Sequence, residues 1–253
     1  ACFPPARFLS GQTPFPGSGR HSPAGAATGR KARSPIRRCV IVILLLGGSG
    51  FIGRHLADAL AGAGHELVFV VRDPDSAAAG RLPGRAIAGD LGRDLDASDW
   101  GPRLAGVDVV VNAVGILRES GSQTFATLHV AGPRALFEAC LAVGVRRVVQ
   151  ISALGADEHA RSGYHLSKKA ADDFLLTLPL SAVSVQPSLV YGPGGASAGL
   201  FTLLAGLPLI PLPGDGRQQV QPIHLDDLVA AILALVESEA FAGQRVALVG
   251  PQP

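Results

Sequence analysis

The stretch Leu44–Gly53, which reads Leu-Leu-Leu-Gly-Gly-Ser-Gly-Phe-Ile-Gly, decides the fold. It continues an apolar run that begins at Val40, and the residues that follow it place apolar side chains at helical spacing. This order predicts a buried strand, a tight turn and the start of a helix. A turn without Cβ atoms lets main-chain N–H groups approach an anion, and the helix dipole favours negative charge there. The stretch therefore predicts a pyrophosphate site, with a ligand-free glycine-rich turn as the alternative.

Strand-like and helix-like segments alternate from Val40 onward. This alternation predicts an α/β fold, a doubly wound parallel sheet with helices on both faces and ligand at the carboxyl ends of the strands. Strands are predicted at 40–46, 66–71, 86–88, 107–113, 147–152, 181–186 and 245–249, and helices from the glycine turn to 63 and at 123–143, 164–176 and 226–237. We expect 40–253 to form one nucleotide-binding domain, with 187–253 supplying a small substrate side. Because the sequence stops just past a strand, we expect the natural protein to continue.

Residues 1–39 are rich in Pro, Gly, Ser, Ala and Arg and contain no acidic residue. Such a segment cannot repay the entropy of ordering, so we predict a disordered leader. Its composition is that of an organellar transit peptide, although prolines break it, and a non-native extension is the alternative. A cytoplasmic protein is therefore expected, or a mitochondrial one if the leader is a transit peptide.

The net charge of +2 hides an uneven distribution. Eight of the 22 basic residues precede Asp58, the first acidic residue, so 14 basic residues face 20 acidic ones in the rest of the chain. This excess of negative charge argues against nucleic-acid binding. No apolar segment reaches the roughly 18–20 residues that a membrane-spanning helix needs. Three widely spaced cysteines predict a reducing compartment and no metal site.

A tyrosine and a lysine stand four residues apart at the start of the helix predicted after the fifth strand. This spacing puts Tyr164 and Lys168 on one helix face, one turn apart. An ammonium group beside a phenol is expected to lower the tyrosine pKa from about 10, as a general acid or base requires. An accidental pair on a solvated face is the alternative.

Together the motifs resemble the short-chain dehydrogenase/reductase superfamily. They are Gly47-x-x-Gly50-x-x-Gly53, Asn112-Ala113-Val114-Gly115, Ser152, Tyr164-x-x-x-Lys168 and Val190-Tyr191-Gly192-Pro193-Gly194. The glycine spacing and the segment Gln221–Asp227 resemble the extended and atypical branches, which are epimerase/dehydratase-like and NmrA-like. Within these branches the sequence is similar to the nucleotide-binding accessory subunit of respiratory complex I and its bacterial relatives. The resemblance runs from Val40 to about Pro251 and implies a Rossmann fold.

The resemblance also implies a role for each motif. It puts the pyrophosphate on Gly47, Gly50, Phe51, Ile52 and Gly53, the adenine on Asp90 and Leu91, the ribose on Ala113, Val114 and Gly115, and the nicotinamide near Pro187 and Val190. Tyr164 would exchange the proton, while Lys168 would bind the nicotinamide ribose and lower the tyrosine pKa. Ser152 would orient the substrate carbonyl or, equally, be a strand-end residue that satisfies the backbone.

The charge at the end of the second strand bears on the choice of cofactor. Arg72 ends that strand, and Arg54 follows the third glycine. Two guanidinium groups near the adenosine ribose suit the 2′-phosphate of NADP(H), whereas a carboxylate such as Asp73 suits the free hydroxyl of NAD(H). We expect NADP(H), with NAD(H) as the alternative.

The functional prediction is an NAD(P)H-dependent oxidoreductase that acts on a carbonyl or hydroxyl group of a small molecule. The alternative is a non-catalytic NADPH-binding module with a structural or redox-sensing role in a complex. This alternative is favoured by His129, which stands where the superfamily often has an Asn that serves the proton relay. Gln186 stands where many extended members have Arg, which argues against a nucleotide-sugar substrate.

An apolar stretch at 199–212 bears on substrate and partners. It predicts either a lip over an apolar substrate, such as a lipid, a quinone or an aromatic ketone, or a segment packed on the core. For partners we expect the small-molecule substrate together with a homo-oligomer or a respiratory-complex subunit.

Overall fold

The structure is a computed structural model that describes residues 40–195 and 219–251, together with residues 199, 203, 204, 206, 216 and 217. The predicted leader at 1–39 and most of the apolar stretch at 199–212 lie outside the described residues. From Val40 onward the described chain forms one compact unit.

A parallel sheet of seven strands occupies the centre of that unit. Its strands are β1 (Val42–Leu46), β2 (Glu66–Val71), β3 (Arg85–Ala88), β4 (Val109–Asn112), β5 (Arg147–Ile151), β6 (Ser181–Pro187) and β9 (Gln244–Leu248), and β7 (Val190–Tyr191) pairs with β8 (Ile223–His224) in a separate small sheet. The order across the large sheet is β3-β2-β1-β4-β5-β6-β9. All strands run parallel, but the order in which they are added reverses at β1: β2 and β3 follow on one side of it, and β4 and the later strands on the other. Doubly wound sheets bind their ligands at this point, between β1 and β4. The predicted fold class is confirmed.

Five α-helices connect the strands in the described residues. They are α1 (Phe51–Gly62), α2 (Ala97–Trp100), α3 (Gly132–Val143), α4 (Gly163–Thr177) and α5 (Leu225–Val236). A π-helical turn, Ala126–Ala131, leads directly into α3. None of these helices is long and apolar enough to cross a membrane.

The apolar run of β1 is continuous because both faces of the sheet are covered. Ile43 and Leu45 belong to a cluster with residues of α1 and α5, whereas Leu44 and Leu46 belong to one with residues of α3 and α4. All four side chains are at most 1% exposed. The glycine turn that follows β1 is thereby fixed at the carboxyl edge of the sheet.

The sequence patterns missed short elements and one helical irregularity. Helix α2 is a single turn closed by a capping box in which Asp96 and Asp99 bind each other's backbone N–H groups, so it is too short to show an apolar periodicity. The helix predicted at 123–143 starts at Phe125 and passes through the π-helical turn before it becomes α3. That turn places His129 inside the protein, 1% exposed.

Candidate active site

The glycine turn is built so closely that side chains are excluded from it. Gly47 has a φ of +78°, and a Cβ there would lie 2.8 Å from the carbonyl carbon and oxygen of Ala113. A Cβ on Gly53 would overlap the carbonyl oxygen of Gly47, which also accepts a hydrogen bond of 2.9 Å from the Gly50 N–H. The turn, the start of α1 and the segment after β4 are therefore in main-chain contact.

The start of α1 leaves its own N–H groups available. Gly50 provides no side-chain cap, and the first turn of the helix contains no acidic residue. Phe51 and Ile52 pack against the core that β1 shares with α1, so their side chains turn away from the turn's open side. These features fit the pyrophosphate of a dinucleotide, because an anion there meets free donors and no carboxylate.

A cleft of about 750 Å³ opens beside the turn, along the carboxyl ends of β2 and β3. Its walls include Gly47, Arg72, Asp90, Leu91 and Val114 from the predicted cofactor set. The Asp90 carboxylate accepts a hydrogen bond of 2.9 Å from the Gly92 N–H, which fixes the loop after β3. A Cβ on Gly132 would overlap the carbonyl oxygen of Leu91, so this loop lies directly on the start of α3.

The two arginines expected at the adenosine ribose lie in different places. Arg72 is exposed, lines the cleft beside Asp73, and pairs with no carboxylate in the described chain. The guanidinium of Arg54 instead donates a hydrogen bond of 3.3 Å to the Pro193 carbonyl and lies 5.8 Å from the centre of the Phe51 ring. The Arg54 side chain thus turns toward the loop after β7 while Arg72 faces the cleft, and the expectation that both guanidinium groups flank the ribose stays a prediction.

The segment 113–116 is held from below by a fully buried asparagine. The Asn112 side-chain oxygen accepts a hydrogen bond of 3.1 Å from the Val114 N–H, and its amide nitrogen donates to Gln150, 2.8 Å away. This segment touches the glycine turn through Ala113 and lies against Lys168 through Gly115, where an added Cβ would be 3.0 Å from Nζ. The segment therefore connects the two halves of the candidate site.

Lys168 is buried at the base of α4, where only 3% of it is exposed. Its ammonium donates hydrogen bonds of 3.2 Å to the carbonyl oxygens of Val114 and Ile151. Burial lowers the pKa of Lys168 to about 8, while the nearby Asp172 carboxylate acts in the opposite direction. A buried ammonium group is thus aimed at the end of β5 and at the segment after β4.

Tyr164 stands one turn before Lys168 and is half-buried between aromatic rings. Its ring meets those of Phe125, His129 and His165 edge to face, at centroid distances of 6.1, 5.6 and 5.1 Å. Burial raises the pKa of its phenol. The expected lowering by Lys168 is absent, because the ammonium is directed at two carbonyl oxygens and desolvation dominates at the phenol.

Ser152 faces the interior. Its hydroxyl donates a hydrogen bond of 2.6 Å to the Asp172 carboxylate, and Gln186 donates to the same oxygen, 3.3 Å away. Burial raises the pKa of Asp172, whereas the hydrogen bonds from Ser152 and Gln186 and the charge of Lys168 lower it. Of the two roles open to Ser152, this contact favours the structural one.

The remaining predicted positions lie at the carboxyl end of β6. Pro187 ends that strand, buried, and its carbonyl accepts a hydrogen bond of 3.0 Å from the Leu154 N–H in the loop after β5. Val190 follows in β7, paired with Ile223. Asn112, His129 and Asp172 carry contacts in this site that the sequence did not assign, since buried polar roles depend on partners distant in sequence.

Metal ligands do not converge in the described residues: no three His, Cys, Asp or Glu side chains are grouped to hold an ion. Cys140 is a buried free thiol on α3, and burial raises its pKa to about 12.

The doubly wound sheet, its glycine turn and the open start of α1 define a Rossmann domain of the kind that binds a nicotinamide dinucleotide. Residues 43–250 match the NAD dependent epimerase/dehydratase family, and the chain belongs to that family. The resemblance drawn from the motifs is confirmed.

Similar proteins include reductases and a respiratory subunit. A ceramide reductase of Caulobacter vibrioides is 36% identical over 198 residues, which are 76% of this chain and 60% of that protein. NADH dehydrogenase [ubiquinone] 1 alpha subcomplex subunit 9 of Arabidopsis thaliana mitochondria is 27% identical over 223 residues, 83% of this chain and 54% of that protein. The chain thus spans little more than half the length of these two relatives.

A solved structure of MoeE5 in complex with UDP-glucose and NAD superimposes with a TM-score of 0.64 at 27% identity, covering 82% of this chain and 75% of that one. Its NAD supports the assignment of a nicotinamide-dinucleotide site to this fold.

Proposed function

We propose that this protein is an NADP(H)-dependent oxidoreductase that reduces a carbonyl group on an apolar substrate. The observation that carries the proposal is the start of α4, where the Tyr164 phenol stands one turn from an ammonium group buried against Val114 and Ile151. Burying a lysine this deeply costs several kcal/mol unless hydrogen bonds and an opposite charge offset it, and here the two carbonyl oxygens and the nearby Asp172 carboxylate do so. Relatives named as reductases support the same reading.

The residues of the chain fit a dinucleotide laid across the carboxyl edge of the sheet. The glycine turn and α1 would hold its pyrophosphate, the cleft at Asp90 and Leu91 its adenine, and Lys168 its nicotinamide ribose. Arg72 would pair with a 2′-phosphate, since its guanidinium is exposed and faces the cleft. When bound, the nicotinamide would supply the hydride.

Tyr164 would supply the proton. Burial raises its pKa, so the phenol is protonated at neutral pH and can donate to a carbonyl oxygen that gains negative charge. Lys168 would hold the nicotinamide ribose and the segment after β4 in place beside the phenol, through its contacts with the Val114 and Ile151 carbonyl oxygens. Ser152 has no part in this step, because its hydroxyl is committed to Asp172.

An apolar substrate is favoured by exposed leucines on the elements that carry segment 113–116, Ser152 and Tyr164. Leu117 in the loop after β4 is 73% exposed, Leu154 in the loop after β5 is 42% exposed, and Leu166 on α4 is 49% exposed. The name of the Caulobacter relative, a reductase of a lipid, agrees with this class.

The test is NADPH oxidation with a panel of long-chain acyl, quinone and aromatic carbonyl compounds. The wild-type protein should turn over at least one class, and Tyr164→Phe should lower kcat by about 10²–10⁴-fold while NADPH binding is kept. Tyr191→Phe, which removes the protein's other phenol, is the matched control. Tight NADPH binding without turnover on any class, or full activity in Tyr164→Phe, would contradict the proposal.

A second candidate is an NADPH-binding module within a larger complex. The commitment of Ser152 to Asp172 favours it, and so does the relative in mitochondrial complex I. It would be supported by stable cofactor binding without turnover and by co-purification with respiratory subunits. If the protein is a reductase, we expect it in the cytoplasm, as a homo-oligomer. If it is a cofactor-binding module, we expect it in mitochondria, within a respiratory complex.

A further inference from the structure

His129 lies where the π-helical turn, segment 113–116 and the start of α4 meet. It lies in the π-helical turn, its ring stacks on Phe125 with centroids 5.1 Å apart, and the edge of Tyr164 meets it at 5.6 Å. Only 1% of the residue is exposed. A buried imidazole needs partners for both ring nitrogens, and here each nitrogen has one.

The two hydrogen bonds of the ring fix its tautomer. Nε2 lies 3.0 Å from the Ile116 nitrogen, whose N–H can only donate, so Nε2 is an acceptor. Nδ1 lies 2.9 Å from the Ser167 hydroxyl, and that hydroxyl donates its own hydrogen to the Tyr164 carbonyl, 2.7 Å away. The proton of the ring is therefore on Nδ1, and a second proton has no place on Nε2.

The charges around the ring point the same way. An added Cβ on Gly115 would lie 3.0 Å from the Lys168 ammonium and 3.6 Å from His129 Nε2, so the two groups face each other across one residue. Burial and the charge of Lys168 lower the pKa of His129 to about 3. Tyr164 is the other titratable group facing the ring, and Asp172 lies beyond Lys168.

We propose that His129 is a positioning residue: a neutral imidazole that binds the Ile116 N–H and, through Ser167, the first turn of α4. It thereby sets segment 113–116 at a fixed distance from Lys168 and Tyr164. It passes no proton, since both nitrogens are used by groups that do not react. Its effect on turnover rests on the proposed function, whereas its effect on the main chain does not.

The test separates the two nitrogens. In His129→Gln the amide oxygen can reach the place of Nε2 and accept from Ile116, whereas in His129→Asn the shorter amide reaches only the place of Nδ1. Ser167→Ala is the matched control: it removes the Nδ1 partner, together with the hydrogen bond to the Tyr164 carbonyl, and leaves the Nε2 partner in place. We expect His129→Asn to weaken NADPH binding about tenfold and to lower kcat about 10²-fold with little change in KM, because small displacements at a reacting centre have effects of that size.

His129→Gln should keep NADPH affinity, kcat and the shape of the pH profile near those of the wild-type protein, and Ser167→Ala should fall between the two. Equal losses in the Gln and Asn variants would overturn the proposal. So would ¹⁵N resonances of the wild-type ring that titrate between pH 5 and 8, or that show the proton on Nε2. The resonances and the NADPH affinities decide the matter even if the wild-type protein reduces no carbonyl.

Discussion

The two halves of the candidate site differ in the groups that form them. On the cofactor half, at the ends of β1, β2 and β3, the glycine turn is in close main-chain contact with its neighbours, and Arg72 at the end of β2 is exposed and lines the cleft. On the reaction half, at the ends of β4, β5 and β6, the walls are buried polar side chains that bind one another, such as His129, Lys168 and Asp172. An added side-chain atom would therefore disturb the glycine turn of the first half. A change of protonation would disturb the buried polar contacts of the second half.

The largest effect should come from adding one atom to the cofactor half. Gly53→Ala would push a Cβ into the Gly47 carbonyl oxygen and should lower the free energy of unfolding by about 1–3 kcal/mol, because the contact is between rigid main-chain segments. Gly62→Ala on the same helix meets no atom within 4 Å and should leave stability unchanged or raise it by about 0.4–1 kcal/mol. Urea unfolding of both variants measures this, and equal stabilities would show that the turn can adjust.

The reaction half should respond to acid. The folded-state pKa of His129, about 3, lies below its ordinary value of 6.5, so its contribution is complete above pH 6.5 and is lost as the pH falls toward 3. The wild-type protein should therefore lose about 2 kcal/mol more stability than His129→Gln between pH 8 and pH 5. His159→Gln, at an exposed position, should follow the wild-type protein. Parallel acid limbs for wild type and His129→Gln would contradict a buried neutral imidazole.

The smallest effect concerns Arg72, which is exposed at the end of β2 on the cofactor half. Arg72→Ala should weaken NADPH binding about tenfold and leave NADH binding unchanged, since one charge-assisted contact to a phosphate is worth about 1.5–3 kcal/mol before solvent screening. Arg85→Ala, at the opposite end of the sheet, is the control. An unchanged NADPH to NADH ratio in Arg72→Ala would assign the choice of cofactor to other residues.

The same division explains what the sequence could predict. Strand positions and the glycine turn depend on local apolar runs and on residues without Cβ atoms, so both are legible in one stretch of chain. The contact of Ser152 with Asp172, and the direction of Arg54, depend on partners 20 and 139 residues away. The pKa of Tyr164 was misjudged for the same reason, because spacing showed the nearby lysine but not the two carbonyl oxygens that bind it.

The π-helical turn at Ala126–Ala131 makes the direction of the His129 side chain depend on the number of residues in that turn. One residue corresponds to about 100° of rotation in an α-helix. Deleting Ala131, which lies between His129 and α3, would turn His129 about the helix axis and away from Ile116 while leaving α3 intact. Insertions and deletions in this region should therefore be restricted to the loop before Phe125, where a changed length rotates nothing.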